Sequence, residues 1–225
     1  EIGRMKWKVD GVGTETNLIS NNAPAVSEKY ALFGFGNGEI YATFKKGGFV
    51  RWSSSLTGRN DSRVISAIDD IVASPVIIGR NVYAADGSGK VVSLRIESGE
   101  RNWTAPFGSS GNFWIMGKSL FFISDTNKLV RLEMKTGKTV WITELPSFSQ
   151  KRVLRSKKTN QHYGPIFAGS QLIIASSDGY FRFYDPKTRE QTSKVKIKAG
   201  ATANPIVANE MLYLITKDGQ LRAFR

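Results

Sequence analysis

The sequence predicts an all-β protein made of about five repeats of a four-stranded antiparallel unit, on three observations. One short pattern recurs five times, opening at Pro24, Pro75, Phe113, Pro165 and Pro205. Seven and eight residues after each opening sits an apolar pair: Ala31-Leu32, Val82-Tyr83, Leu120-Phe121, Leu172-Ile173 and Leu212-Tyr213. Each pair leads into a tight-turn signal. The openings are 51, 38, 52 and 40 residues apart, and a period of about 45 residues with several strands per unit marks radial or stacked repetition.

Within a copy the elements follow in a fixed order. A Pro can begin a strand because only the first ladder N–H is lost. A short apolar stretch follows, then a small turn at Gly79, Gly117, Gly169 or Asn209, then a second apolar strand. The second strand runs into Asn37-Gly38, Asp86-Gly87, Asp125 with Asn127, Asp178-Gly179 or Asp218-Gly219. These residues tolerate the positive φ angles that match the twist of a hairpin. A third strand comes next, then a Gly- or Lys-rich turn, then a strand ending in Trp52, Trp103 or Trp141. Four strands per unit make one blade of a β-propeller.

On this reading the blades span approximately 20–57, 71–107, 111–146, 163–198 and 203–225, within a single partial propeller domain over 1–225. The fourth copy departs from the pattern, carrying no Trp in Gln191–Ile197. Residues 1–10 read as an outer fourth strand bearing Trp7, and the last copy stops after its third strand. Either those ends complete one another in a five-bladed ring, or the blades belong to a larger propeller. In the second case the edges at 1–10 and 204–225 predict dimerisation or a non-native closure.

Composition narrows the function classes. With 40% hydrophobic residues over 225 positions a substantial core can form. No apolar run of 18 residues is present, so no helix of this sequence is predicted to span a bilayer. Zero cysteines exclude disulfides and thiol chemistry. The balance of 32 Lys and Arg against 19 Asp and Glu suits an acidic partner or an anionic lipid surface, or simply solubility. Its densest run, 151–158, falls in a polar connection from Ser147 to Tyr163 that reads as an exposed loop. Without RNA-binding aromatic motifs or a groove-reading helix, nucleic acid is not an expected partner.

Candidate catalytic residues are few. The one histidine, His162, stands beside the basic loop and reads as an inert loop residue. No His/Cys cluster has metal-ligand spacing, so no metal site and no cofactor are expected. The segment GFGNGE at 34–39 sits in a hairpin with no helix behind it, and a phosphate loop needs that helix. Asp86, Asp125, Asp178 and Asp218 recur at one turn per blade, which predicts carboxylates accepting backbone N–H bonds. Trp7, Trp52, Trp103 and Trp141 end equivalent strands and are expected to pack between neighbouring blades. Trp114, on a first strand, is expected in the core near the central channel.

The unit of strand, D/N-G turn, strand and T/S-G-x-x-x-W, seen in 94–103 and 132–141, resembles the repeat of the quinoprotein-type (PQQ-like) propellers. The order of long and short connections, and segments such as DIVASPVIIGRNVYA and SSDGYFRFYD, are closer to the BamB-type lipoproteins of the outer-membrane β-barrel assembly machinery. The resemblance runs over all 225 residues. It implies an eight-bladed propeller without enzymatic activity, of which this chain matches the C-terminal five blades. It also implies a periplasmic location, with a lipidated Cys outside this chain tethering the protein to the inner face of the outer membrane. The implied partners are the POTRA domains of the barrel-inserting subunit, and also unfolded outer-membrane clients.

The family's partner-binding loops match in part. Leu18 in NLISNNAP corresponds to the family's leucine, and Ile19 stands where it has arginine. Asp70 in DDIVASP corresponds to one of two acids, and Val72 replaces the other. Losing the arginine removes a bidentate charge-assisted contact. Two other classes remain open: a generic periplasmic or extracellular binding propeller, and a quinoprotein dehydrogenase fragment. The latter needs calcium, a catalytic carboxylate and usually a vicinal Cys pair.

Overall fold

A computed structural model describes residues 3–11, 23–56, 73–86, 89–109, 111–148 and 159–225. Among them there are strands and turns and no helix, as the repeat predicts. The chain forms two compact units, one of Glu1–Ser110 with Lys135–Lys138, the other of Gly111–Met134 with Thr139–Arg225. The first unit holds two sheets: β1 (Ala25–Val26), β2 (Tyr30–Gly34), β3 (Glu39–Phe44) and β4 (Val50–Ser55), then β5 (Val76–Ile78), β6 (Asn81–Ala85), β7 (Val91–Arg95) and β8 (Arg101–Ala105). The second unit holds β9 (Trp114–Met116), β10 (Ser119–Ile123), β11 (Lys128–Glu133) and β12 (Thr139–Glu144), then β13 (His162–Ala168), β14 (Gln171–Ser176), β15 (Tyr180–Tyr184) and β16 (Gln191–Lys196). A three-stranded sheet of β17 (Ile206–Ala208), β18 (Met211–Ile215) and β19 (Leu221–Phe224) ends it. Every sheet is an antiparallel meander in chain order.

The cores lie between consecutive sheets. Leu32, Ile40 and Ala42 of the first sheet meet Val82, Val92 and Leu94 of the second. In the other unit Phe121, Leu129 and Trp141 meet Leu172, Ile174 and Tyr184. Ile166, Phe181 and Ile197 meet Leu214. Period-2 alternation puts one set of side chains toward each neighbouring sheet, so an inner strand must be apolar on both faces.

One device joins the blades, and it combines a bulge with a tryptophan. In all four four-stranded sheets the register shifts between the third and fourth strands. Trp52 pairs with Ala42 and Val50 with Thr43, leaving Arg51 as the extra residue. The same step leaves out Asn102, Val140 and Thr192. A bulge bends the strand and re-aims the side chain beside it, and in three of the sheets that side chain is tryptophan. Its target is the third-to-fourth-strand turn of the next sheet. The Trp52 indole donates to the Ile96 carbonyl at 2.8 Å, and a Cβ on Gly99 would come within 2.6 Å of its ring. Gly99 also holds φ +73°, so two constraints require glycine there. Trp103 lies equally close to Gly137. Trp141 donates to the Pro186 carbonyl at 3.2 Å, where Arg189 takes the left-handed position instead of glycine.

Of residues 1–10, expected as an outer strand, the described ones, 3–10, hold no strand. Trp7 nevertheless docks as its counterparts do, donating to the Lys45 carbonyl at 3.0 Å and covering Gly48. The fourth copy has Ser193 where the others have Trp, and β16 is exposed along its whole length. Trp114 is half-buried and packs against both apolar clusters of its unit.

Candidate functional site

The two partner-binding positions expected from the sequence, Leu18 and Asp70, lie outside the described residues, as does the basic run 151–158. The frame that carries the Leu18 and Asp70 loops is described on both sides of each. Before the first loop, Gly11 lies against Phe35, whose ring occupies the space a Cβ would need. Phe35 is braced edge-on by Tyr41, with ring centroids 4.8 Å apart. Before the second loop, Leu56 donates its N–H to the Gly38 carbonyl at 2.9 Å and is fully buried. Where the loops return, the Ala23 N–H donates to Ser74 Oγ at 3.1 Å. The described residues that precede the two segments, Gly11 and Leu56, therefore both touch the β2–β3 hairpin, and those that follow them meet in one clasp, immediately before Pro24 and Pro75. The hairpin itself is pinned by the Glu39 carboxylate, which accepts from Asn37 Nδ2 at 2.6 Å and Tyr41 Oη at 3.2 Å. The hydrogen bond to Glu39, with that carboxylate's charge, raises the Tyr41 phenol pKa above its ordinary value.

Three of the four recurrent aspartates, Asp86, Asp178 and Asp218, divide into two kinds. Asp86 behaves as expected, with Oδ1 accepting the Lys90 N–H at 2.8 Å. Asp178 and Asp218 instead each bind a guanidinium four residues on. Arg182 makes a bidentate pair with Asp178, at 3.1 and 2.5 Å, and its side chain is 2% exposed. The equivalent Arg222–Asp218 pair, at 3.1 Å, is 24% and 34% exposed. Among the described residues no group of three His, Asp or Glu could hold a metal.

His162 is not the exposed loop residue expected from the sequence. It begins β13, and Nδ1 lies 2.7 Å from Ser176 Oγ while Nε2 lies 3.1 Å from the Pro146 carbonyl. The connection is shorter than it read, because Phe148 bridges Thr159 and Asn160 donates to Ser147. The contact with Ser176 does not make a catalytic triad. Ser176 is fully buried, and the nearby Asp178 is committed to Arg182. Burial pushes the His162 pKa below its ordinary 6.5, with Arg182 adding to it against the Pro146 carbonyl and Asp178. The unfolded chain therefore binds this proton more readily than the folded one, so His162 adds stability above about pH 6.5 that is lost as pH falls below it. Thermal midpoints measured from about pH 7.5 to about pH 5 should fall with pH, and His162→Gln should flatten the slope. An unchanged slope in the variant assigns the effect to other groups.

The docked indoles, the bulge before them and the four-stranded repeat define a β-propeller of the quinoprotein type. Within that class, the family model for outer membrane protein assembly factor BamB matches residues 1–143. The chain belongs to that family. It is 23% identical over 223 residues to the BamB of Yersinia pestis, covering 99% of this chain and 54% of that protein. It is 22% identical over 223 residues to the BamB of Shewanella oneidensis, covering 98% and 53%. The chain thus spans about half the length of these relatives. Among solved structures, BamB from Moraxella catarrhalis superposes with a TM-score of 0.81 at 19% identity, over 98% of this chain and 63% of that one. Quinohemoprotein alcohol dehydrogenase from Comamonas testosteroni gives 0.68 at 10% identity, over 93% and 41%, a likeness of fold.

The bulge and the Ala23–Ser74 clasp were missed from sequence. The prolines that follow Ala23 and Ser74 mark strand starts and carry no signal for the clasp.

Proposed function

We propose that this chain is a non-enzymatic binding scaffold of the outer-membrane β-barrel assembly machinery, working in the periplasm on the inner face of the outer membrane. Its partner is the POTRA region of the barrel-inserting subunit, contacted through the loops carrying Leu18 and Asp70. One observation carries the reading most directly: the Ala23–Ser74 clasp and the β2–β3 hairpin hold the ends of both loops in a single frame. A rigid frame reduces the ordering cost of binding, and an apolar side chain together with a carboxylate, wherever the two loops present them, suits a groove with one basic rim residue. Kinship with BamB-family assembly factors supports the setting.

Capture of isolated POTRA domains on immobilised protein tests it. Leu18→Asp should weaken capture at least about tenfold, the cost of a charge in an apolar hot spot. Asp70→Lys should weaken it and reduce its salt dependence. If the unaltered chain captures no POTRA domain, or both variants capture it undiminished, the reading is wrong.

A further inference from the structure

The repeat supplies an internal reference for its own third-to-fourth-strand turns. After the left-handed residue of that turn, the second, third and fourth sheets carry Glu100, Lys138 and Glu190. In the second sheet Glu100 pairs across the turn with Arg95 at 3.6 Å. The first sheet replaces that ion pair with two phenylalanines. Phe49 stands at the Glu100 position, 76% exposed, and Phe44 at the Arg95 position, 41% exposed. The Phe44 N–H donates to the Phe49 carbonyl at 2.9 Å, closing the turn. The Phe49 ring lies over Gly47, where a Cβ would come within 2.9 Å of it. An aromatic ring is thus held outward at the tip of a rigid turn. Met5, also 76% exposed, belongs to the segment that Trp7 fastens to this turn.

The surrounding charge is cationic. Lys45 and Lys46 are in the turn itself, and Lys29 sits in the adjoining β1–β2 turn, its carbonyl accepting the Lys45 N–H at 2.9 Å. Glu28 is the one carboxylate in these two turns. We propose that the β3–β4 turn, with Phe49 at its tip, is an interfacial contact for an anionic lipid surface. A convex aromatic knob ringed by lysines needs no complementary pocket when its partner is a fluid bilayer. The ring enters the headgroup–acyl boundary while the ammonium groups stay among lipid phosphates. An acidic protein would satisfy the lysines and would have to supply a pocket for the ring. The turn lies at the opposite end of its sheet from the β2–β3 hairpin, so a bilayer and a loop-bound partner do not compete for it. The proposal is independent of the POTRA reading, and its assay contains no POTRA domain.

Co-sedimentation with phosphatidylcholine vesicles, with and without phosphatidylglycerol, tests it. The chain should bind the phosphatidylglycerol vesicles, less so as salt rises, and leave pure phosphatidylcholine vesicles unbound. Phe49→Ser and the pair Lys45→Glu with Lys46→Glu should each weaken binding at least about tenfold. Lys135→Glu with Lys138→Glu, the same charge change in a turn without phenylalanine, should weaken it far less. Circular dichroism of each variant checks that the sheets are intact. Absent binding, equal binding to both vesicle types, or full binding by Phe49→Ser overturns the proposal. So does vesicle binding that survives in variants that lose polyglutamate capture, which would mark a dock for acidic protein.

Discussion

Replacing Trp52 by alanine should destabilise the first unit by about 3–5 kcal/mol, the usual cost of truncating a buried aromatic that cannot be refilled. The ring is 9% exposed and belongs to the cluster that joins the first two sheets. Its indole N–H is the donor to the Ile96 carbonyl, at 2.8 Å. Alanine removes both the packing and the donor, and the bulge at Arg51 keeps another side chain from turning into the space. Trp52→Phe separates the two contributions. It retains most of the ring and should cost about 1–3 kcal/mol, chiefly for the carbonyl left without its donor. Gly99→Val approaches the same contact from the other side, forcing a branched side chain into a positive φ and into the ring. Urea unfolding followed by circular dichroism should rank Trp52→Ala and Gly99→Val as the most damaging of the three. If Trp52→Ala unfolds within about 1 kcal/mol of the unaltered chain, the indole is not what joins these blades.

Much of that joint is legible in the sequence, and the illegible part has a physical cause. The recurrence of Trp one strand after a glycine turn placed the indoles between blades correctly, because the repeat shows the same residue type at the same offset. The bulge left no trace. Arg51, Asn102, Val140 and Thr192 share no chemistry, since an extra residue facing solvent needs only to exist. His162 was misplaced for a related reason. Its polar neighbours suggested a loop, and nothing local reveals that Ser176 and the Pro146 carbonyl wait for its two ring nitrogens. The loops bearing Leu18 and Asp70 were read through family resemblance alone. Their flanking Pro24 and Pro75 marked strand starts without indicating that Ala23 and Ser74 would meet. The turn position of Asp178 and Asp218 suggests acceptors of backbone N–H; their guanidinium partners Arg182 and Arg222, four residues on, differ in burial because of the sheets packed around them, which nothing in the repeat itself marks.

That difference in burial sets up the other large effect. Asp178→Ala should cost about 3–5 kcal/mol, because it strands a guanidinium that is 2% exposed. Asp218→Ala removes the same kind of partner four residues before Arg222, along with an acceptor for Thr216 Oγ1, yet it should cost far less than Asp178→Ala. There the pair is 24% and 34% exposed, and water can take the place of the carboxylate. The penalty at Asp178 is that of an unpaired buried charge, rather than the net value of the ion pair. Asp178→Ala combined with Arg182→Met should therefore recover most of the lost stability, since a buried pair replaced by apolar side chains is often neutral or better. A double-mutant cycle in urea measures this directly, with a coupling well above the few tenths of a kcal/mol expected between independent sites. Additive losses at 178 and 182, or equal losses at 178 and 218, would mean that burial does not govern these two pairs.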